Sequence, residues 1–263
     1  MDKKNIISKH IGILCAMPEE VGSSLENLKN IETKTYGDLK IHSGDWCFSN
    51  SSSKSFNIHL SIAWSGWGKV SAARAATRLI GHQFNKVKVD AIFFTGVAGA
   101  INSKLKQWDI IIPYELIQHD MDARPLFMKY EIPALKTARI KSNKLMNDWT
   151  LSTLKNSIKN GSLKNFGNIY EGLIATGDKF IGNKNDFENI SKEMEDLFAV
   201  EMEGASVAQV AKQEKIPFQI VRVISDEANE NSSVDFSKFL MKYNHHSAKL
   251  ISSLIENIER LPI

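Results

Sequence analysis

Short apolar runs recur along the chain, each bounded by polar or glycine-containing turns. They are "IGILCA" (11–16), "IHLSIAW" (58–64), "DAIFFTG" (90–96), "DIIIPYELI" (109–117), "YEGLIA" (170–175), "FAVEM" (198–202) and "FQIVRVIS" (218–225). Their apolar character is continuous rather than alternating, which predicts strands covered on both faces. Between them the spacing turns helical. In 68–84, Val70, Ala73, Thr77 and Ile80 recur at three or four. Near the C-terminus Phe239, Leu240, Tyr243, Leu250, Ile251, Leu254, Ile255 and Ile258 read as one stripe on a long terminal helix. Strands alternating with helices predict an α/β fold with a largely parallel sheet. "SNSSSKS" (49–55) reads as a hairpin tip, and "KNSIKNGSLKNFGN" (155–168) as a solvated helix end and loop. Neither divides the chain and no repeat is visible, so one domain over residues 10–260 is expected.

Composition narrows the field. A chain of 263 residues buries one large core or two modest ones, and 43% hydrophobic with 24% charged residues fits a soluble globular protein. The net charge of +3 comes from dispersed lysines with no basic block, which argues against nucleic-acid or membrane-surface binding. "MDKKNIISKH" lacks the apolar core of a signal peptide, and nowhere do eighteen apolar residues follow one another. A cytoplasmic location is expected. Cys15 and Cys47 show no metal-ligand spacing, and Cys15, inside an apolar run, reads as a buried reduced thiol.

Four turns at strand ends carry the chemistry, where α/β folds place ligands. "CAMPEEV" sets Met17, Glu19 and Glu20 around Pro18; glutamates there also suit a helix dipole. "TGVAGAI" ends a strand in Gly96 and Gly99, allowing a ligand close to the backbone or simply making a tight turn. It is neither a dinucleotide fingerprint nor a phosphate loop. "ATGDKFIGN" offers Phe180 as a stacking face and Ile181 as a backbone reader of a planar base, or an aromatic packed in the core. "VRVISDEAN" brings Arg222, Ser225 and Asp226 to a strand end, where a lone Asp is often a helix cap. To these "FAVEMEGASVAQVAK" (198–212) adds Glu201 and Glu203, and a buried carboxylate is costly unless paired or protonated. Four such acids at strand ends, Glu20, Glu201, Glu203 and Asp226, exceed what capping explains. Neither the adjacent His245 and His246, about 100° apart on a helix, nor "QHDMDAR" (118–124) completes a metal site, and no metal or cofactor is expected.

Taken together, "IGILCAMPEE", "SGWGKVSAA", "TGVAGAI…WDIIIP", "ATGDKFIGN", "AVEMEGASVAQVA" and "PFQIVRVISDEAN" resemble the nucleoside phosphorylase/hydrolase superfamily, most closely its 5′-methylthioadenosine/S-adenosylhomocysteine nucleosidase branch. The resemblance runs from about residue 10 to 240. It implies a single α/β domain with a twisted mixed sheet flanked by helices, and a homodimer whose partner chain closes each site near Ala123 and Leu126. It also implies roles. Glu20 directs the attacking water; Asp226, helped by Ser225, serves N7 of the leaving adenine. Met202 and Glu203 hold the ribose. Phe180 stacks on the base and Ile181 reads its edge. Ala98 and Gly99 line the floor, Arg222 organises the acids, and Met17, Trp67, Met202 and Phe236 wall the 5′ pocket. Trp67 would act as a lid favouring a short methylthio tail, or else pack on the helix at 68–84. Strand alternation puts Glu201 and Glu203 on one face and Met202 on the other, in conflict with those ribose roles unless the chain bends there. Glu201 is alternatively a structural partner of Arg222.

Three departures stand out: Pro18 before the Glu pair, Val97 in place of a serine, and Trp67 in place of a smaller aliphatic residue. The implied reaction is hydrolysis of an N-glycosidic bond. A purine nucleoside phosphorylase would carry an Arg before the glycine of "TGVAGA" and a Ser after it, where this chain has Phe94–Thr95 and Val97. A futalosine-type hydrolase would use the same machinery, and a non-catalytic nucleoside-binding or storage protein would not need to keep Glu20, Glu203 and Asp226 together.

Overall fold

In the computed structural model, which describes residues 7–47, 56–228 and 232–263, all seven apolar runs are strands. They are β1 (Ile7–Cys15), β4 (Phe56–Trp64), β7 (Ala91–Ala100), β8 (Ile110–Gln118), β10 (Ile169–Thr176), β11 (Leu197–Glu201) and β12 (Phe218–Asp226). Unforeseen are β2 (Leu28–Tyr36) and β3 (Leu39–Trp46), joined at Gly37 with φ +69°, besides the short β5 (Gln83–Phe84), β6 (Val87–Lys88) and β9 (Arg139–Lys141). β2 escapes an apolar reading because all but its first and last residues are exposed. The hairpin tip expected at 49–55 lies outside the described residues.

The sheet is mixed rather than largely parallel, in the order β11-β10-β8-β12-β7-β1-β4-β3-β2. β1 pairs in parallel with β4 and β7, while β2 and β3 extend the edge antiparallel. At the other end the sheet curls round. β11 pairs antiparallel with β7 at Ala199–Ala100 and Val200–Gly99, so β7, β12, β8, β10 and β11 form a closed ring. The site lies at one mouth of that ring.

Helices cover both faces: α1 (Lys69–Ile80), α2 (Lys144–Lys159), α3 (Lys184–Glu193), α4 (Gly204–Gln213), α5 (Ser232–Tyr243) and α6 (Ser247–Ile255). Side chains alternate along β1, so Ile11, Ile13 and Cys15 join the α2–α5–α6 core while Leu14 joins the α1–α4 core. The α1 face differs from the one read in the sequence. Its buried stripe is Ala72, Ala75, Ala76 and Leu79, and Val70 is 81% exposed. Small residues were chosen there because the helix lies close on the sheet; a Cβ at Gly12 would stand 3.0 Å from Leu79. The terminal stripe is broken as well: α5 and α6 are separate, with a turn through Asn244, His245 and His246. That break lets Ser247 at the start of α6 meet the turn after β1, its Oγ donating to the Glu19 carbonyl at 3.1 Å. The segment after α2 is only partly solvated, since Leu163 and Phe166 are buried.

Beneath α1 four buried polar side chains form a chain with a fixed direction. His10 Nδ1 faces the Val87 carbonyl (2.9 Å) and so carries the hydrogen. Its Nε2 accepts from Ser61 Oγ (2.7 Å), which accepts from Ser43 Oγ (2.7 Å), which accepts from His82 Nε2 (2.8 Å). Burial lowers the His10 pKa to about 4, the rings of His82 and His59 adding to the effect. No helix among the described residues is long and apolar enough to cross a membrane.

Candidate active site

β1 ends at Cys15, and a single 3₁₀ turn (Pro18–Glu20) folds Glu20 back beneath the sheet. Its Oε2 accepts from the backbone N–H groups of Ala16 (2.7 Å) and Met17 (3.0 Å), and its Oε1 from that of Val97 (3.0 Å). Burial pushes this carboxyl above the usual range, against the Arg222 guanidinium and the three backbone donors. Gly96 makes room: a Cβ there would lie 2.6 Å from Glu20 Oε1 and 2.3 Å from Arg222 Nη1.

β12 supplies the opposite acid. Its pairing with β7 slips between Ile224 and Asp226, so the strand turns its last residues toward the cavity. Ser225 Oγ donates to Asp226 Oδ2 (2.6 Å), and the Ala228 N–H donates to Oδ1 (2.9 Å). Ser225 and Asp226 are both buried.

The pair Glu201 and Glu203 resolves the alternation conflict. β11 stops at Glu201, and Glu203 takes φ −136°, ψ −37° before α4 begins at Gly204. The chain bends within two residues, so Glu201, Met202 and Glu203 all line one cavity. Glu201 is held from below by the Thr176 hydroxyl, by Arg222 Nη2 and by the N–H groups of Glu203 (3.2 Å) and Gly204 (2.7 Å). Glu203 Oε1 accepts from the Gly68 N–H at 2.9 Å, with Arg222 Nη2 3.7 Å from its Oε2. Burial and the neighbouring Glu201 push the Glu203 carboxyl up to about 8.

Arg222 itself does not line the cavity. It is fully buried under the floor, its guanidinium carbon 3.9 Å from the Phe94 ring centre. Three glutamates raise its pKa despite burial. Of the other residues singled out in the sequence, Met17, Trp67, Ala98 and Gly99 line the cavity, as do Phe180, Ile181, Met202 and Phe236. Its empty space is about 560 Å³ including an open mouth. Phe236 is edge-on to both Trp67 and Phe180, ring centres 6.0 Å apart in each case. Trp67 is 53% exposed at this rim and is not a core residue of α1. Ala16, Lys179 and Val200 also line the cavity and were missed. Val200 was legible in principle, on β11 immediately before Glu201; Lys179 lay inside a motif read only for Phe180 and Ile181.

Other candidates go elsewhere. Cys15 is buried, its thiol pushed up to about 12 chiefly by burial and then by Glu20, its Sγ 3.2 Å from Thr95 Oγ1. Asp120 turns to Lys69, and Asp122 pairs with Arg124. His245 is exposed, and the half-buried His246 meets the Trp108 ring edge-on, ring centres 5.5 Å apart.

A curled α/β sheet with acids converging on one mouth defines a class, and the chain belongs to the phosphorylase superfamily, whose model matches residues 10–256. Within that class it is similar to the 5′-methylthioadenosine/S-adenosylhomocysteine nucleosidase of Shewanella sediminis: 33% identical over 250 residues, covering 94% of this chain and 99% of that one. Among solved structures it is similar to the same nucleosidase from Neisseria meningitidis in complex with methylthio-immucillin-A (TM-score 0.80, 27% identity, 94% and 99% covered). The futalosine hydrolase of Helicobacter pylori follows closely (TM-score 0.78, 30% identity, 94% and 97% covered).

Proposed function

We propose that this enzyme hydrolyses the N-glycosidic bond of 5′-methylthioadenosine and S-adenosylhomocysteine, releasing adenine and the corresponding thio-ribose. The observation that carries the reading is the convergence of Glu20, Glu203 and Asp226 on one cavity whose lining, among the described residues, holds no arginine. Bond breaking passes through an oxocarbenium-like state, so positive charge grows at C1′ as the base leaves. Water adds to C1′, the C1′–N9 bond breaks, and the base departs protonated at N7. In this scheme Asp226, with its Ser225 hydrogen bond, holds or supplies the N7 proton. Glu20, whose carboxyl burial pushes above its ordinary range and so makes a stronger base, takes the proton of the attacking water. Glu203 and Met202 hold the ribose, Phe180 stacks on adenine and the Ile181 backbone reads its edge. Arg222 acts from beneath, setting the charge of the acids.

We further assign the catalytic domain to residues 10–260, place the enzyme in the cytoplasm in methionine salvage, and infer a homodimer. Support for dimerisation is the exposure of Leu126 (83%) and Met128 (77%) on one loop, an apolar surface suited to a second copy of the chain. Hydrolysis is favoured over phosphorolysis because phosphate would enter a cavity lined, among the described residues, by four carboxylates and, of cations, by Lys179 alone. Futalosine hydrolysis is a second reading, favoured by the similarity to the Helicobacter pylori enzyme. The test is incubation with methylthioadenosine, S-adenosylhomocysteine and futalosine, with and without phosphate, and identification of the sugar. A sugar 1-phosphate as main product would overturn the hydrolase, and turnover of futalosine alone would select the second reading.

A further inference from the structure

Two walls of the cavity are carried by segments far apart in sequence: the turn at 65–68, bearing Trp67, and the loop after β10, bearing Phe180 and Ile181. A closed ring of bonds joins them. The Lys69 backbone N–H donates to Asp178 Oδ1 (2.7 Å), the Asp178 N–H donates to Asp120 Oδ2 (2.9 Å), and the Lys69 ammonium returns to Asp120 Oδ1. Lys69 Nζ also lies 3.9 Å from Asp178 Oδ2.

The ring answers a local need. α1 begins after Gly68, which has no side chain to cap the first turn, and its orphan N–H groups and dipole call for an acceptor. Asp178, 109 positions away, supplies that carboxylate. Gly68 must be glycine for this: its φ is +90°, and a Cβ would stand 2.9 Å from Asp178 Oδ1. The approach of the β8 end is equally close, since a Cβ on Gly177 would overlap the His119 ring, 2.1 Å from Nε2. The same Gly68 gives its own N–H to Glu203. One residue apart, therefore, the turn holds the ribose carboxylate with one N–H and the base-binding loop with the next.

We infer that Asp178, clamped by Lys69 and Asp120, is a positioning residue that fixes the Phe180–Ile181 base wall against the Trp67 turn and Glu203. This deepens the proposed function and rests on it for the identity of the ligand. Asp178 does not line the cavity, so it acts through its neighbours. Losing one cap and its charged partner is worth about a tenfold change in binding.

The experiment measures adenine affinity by calorimetry, steady-state kinetics with methylthioadenosine, and Tm for wild type, Asp178→Ala, Asp178→Asn and Lys69→Met. Asp178→Ala should weaken adenine binding and raise KM about tenfold, a larger change than that in kcat. Asp178→Asn keeps an acceptor oxygen and should recover most of the loss. Should Asp178→Ala fail to fold, Lys69→Met, which leaves the capping carboxylate but frees Asp120, carries the same test. A lowered Tm with unchanged adenine affinity and KM would overturn the clamp. Wild-type protein that binds adenine yet leaves methylthioadenosine intact would instead sink the proposed reaction, and the clamp would be judged on adenine affinity.

Discussion

Replacing Arg222 by methionine should destabilise the protein far more than an ordinary core substitution. The side chain is fully buried and faces Glu201 directly, with Glu203 at 3.7 Å. Methionine can lie along Phe94 as the guanidinium does, so little packing volume is lost. What remains is Glu201 in the interior, held by the Thr176 hydroxyl and two backbone N–H groups but without a counter-charge. Stranding one member of a buried pair costs about 3–5 kcal/mol. For a chain of this size that lowers Tm by roughly 10 °C. Urea unfolding of Arg222→Met, Glu201→Gln and the double variant measures it. The double variant should be more stable than the sum of the singles implies, with a coupling of about 2 kcal/mol or more. Losses that simply add, or an Arg222→Met penalty under about 1 kcal/mol, would refute the pairing as the source of the acids' stability.

Asp226→Asn should cut kcat by about 10²-fold or more while leaving the unfolding midpoint near wild type, because the amide cannot donate the N7 proton; near-normal turnover would remove Asp226 from the acid role. Gly96→Ala should lose both activity and stability, since its Cβ meets Arg222 and Glu20 at once; a fully active alanine variant would contradict that crowding. His10 gives a pH signature: with a folded pKa of about 4 against about 6.5 unfolded, only the unfolded state takes up a proton in between. Its contribution is whole above about pH 6.5 and fades by up to about 3 kcal/mol as pH falls to 4, so His10→Asn should show a flatter pH dependence of urea stability. Trp67→Ile should shift the ratio of kcat/KM between methylthioadenosine and S-adenosylhomocysteine; an unchanged ratio would take the indole out of contact with the 5′ group.

How much of this the sequence disclosed depended on where each feature's cause lay. Strands buried on both faces announce themselves, because every position along them must be apolar. β2, with water on nearly all its length, gives no such signal. The α1 face was misread at Val70 because alanines with Leu79 suit a helix lying close to the sheet, whereas Ile80 does pack partly against that core. The acids at strand ends were legible as a set. Their arrangement was not, because alternation assumes a strand that continues, and β11 ends one residue before the bend that brings Met202 and Glu203 round. Arg222 beneath the floor rather than in it, and the Asp178 cap on α1, depend on contacts between distant segments that no local pattern encodes.

The ring of β7, β12, β8, β10 and β11 behaves as a hoop. Each of its strands has a neighbour on either side within the ring, so separating any one pair leaves both members tied through the other four pairings. An open sheet can peel from its edge; a hoop must be cut twice before a segment comes free. β12 carries Asp226 and β11 carries Glu201, both within that hoop, so the spacing of the acids is set by closed geometry and not by the stiffness of any single strand. Passage of a nucleoside in or adenine out therefore falls to the parts outside it: the turn at Trp67, the loop with Phe180, and α5 with Phe236. Hydrogen exchange would register the division as two clocks, slow amides around the hoop and faster ones at the rim.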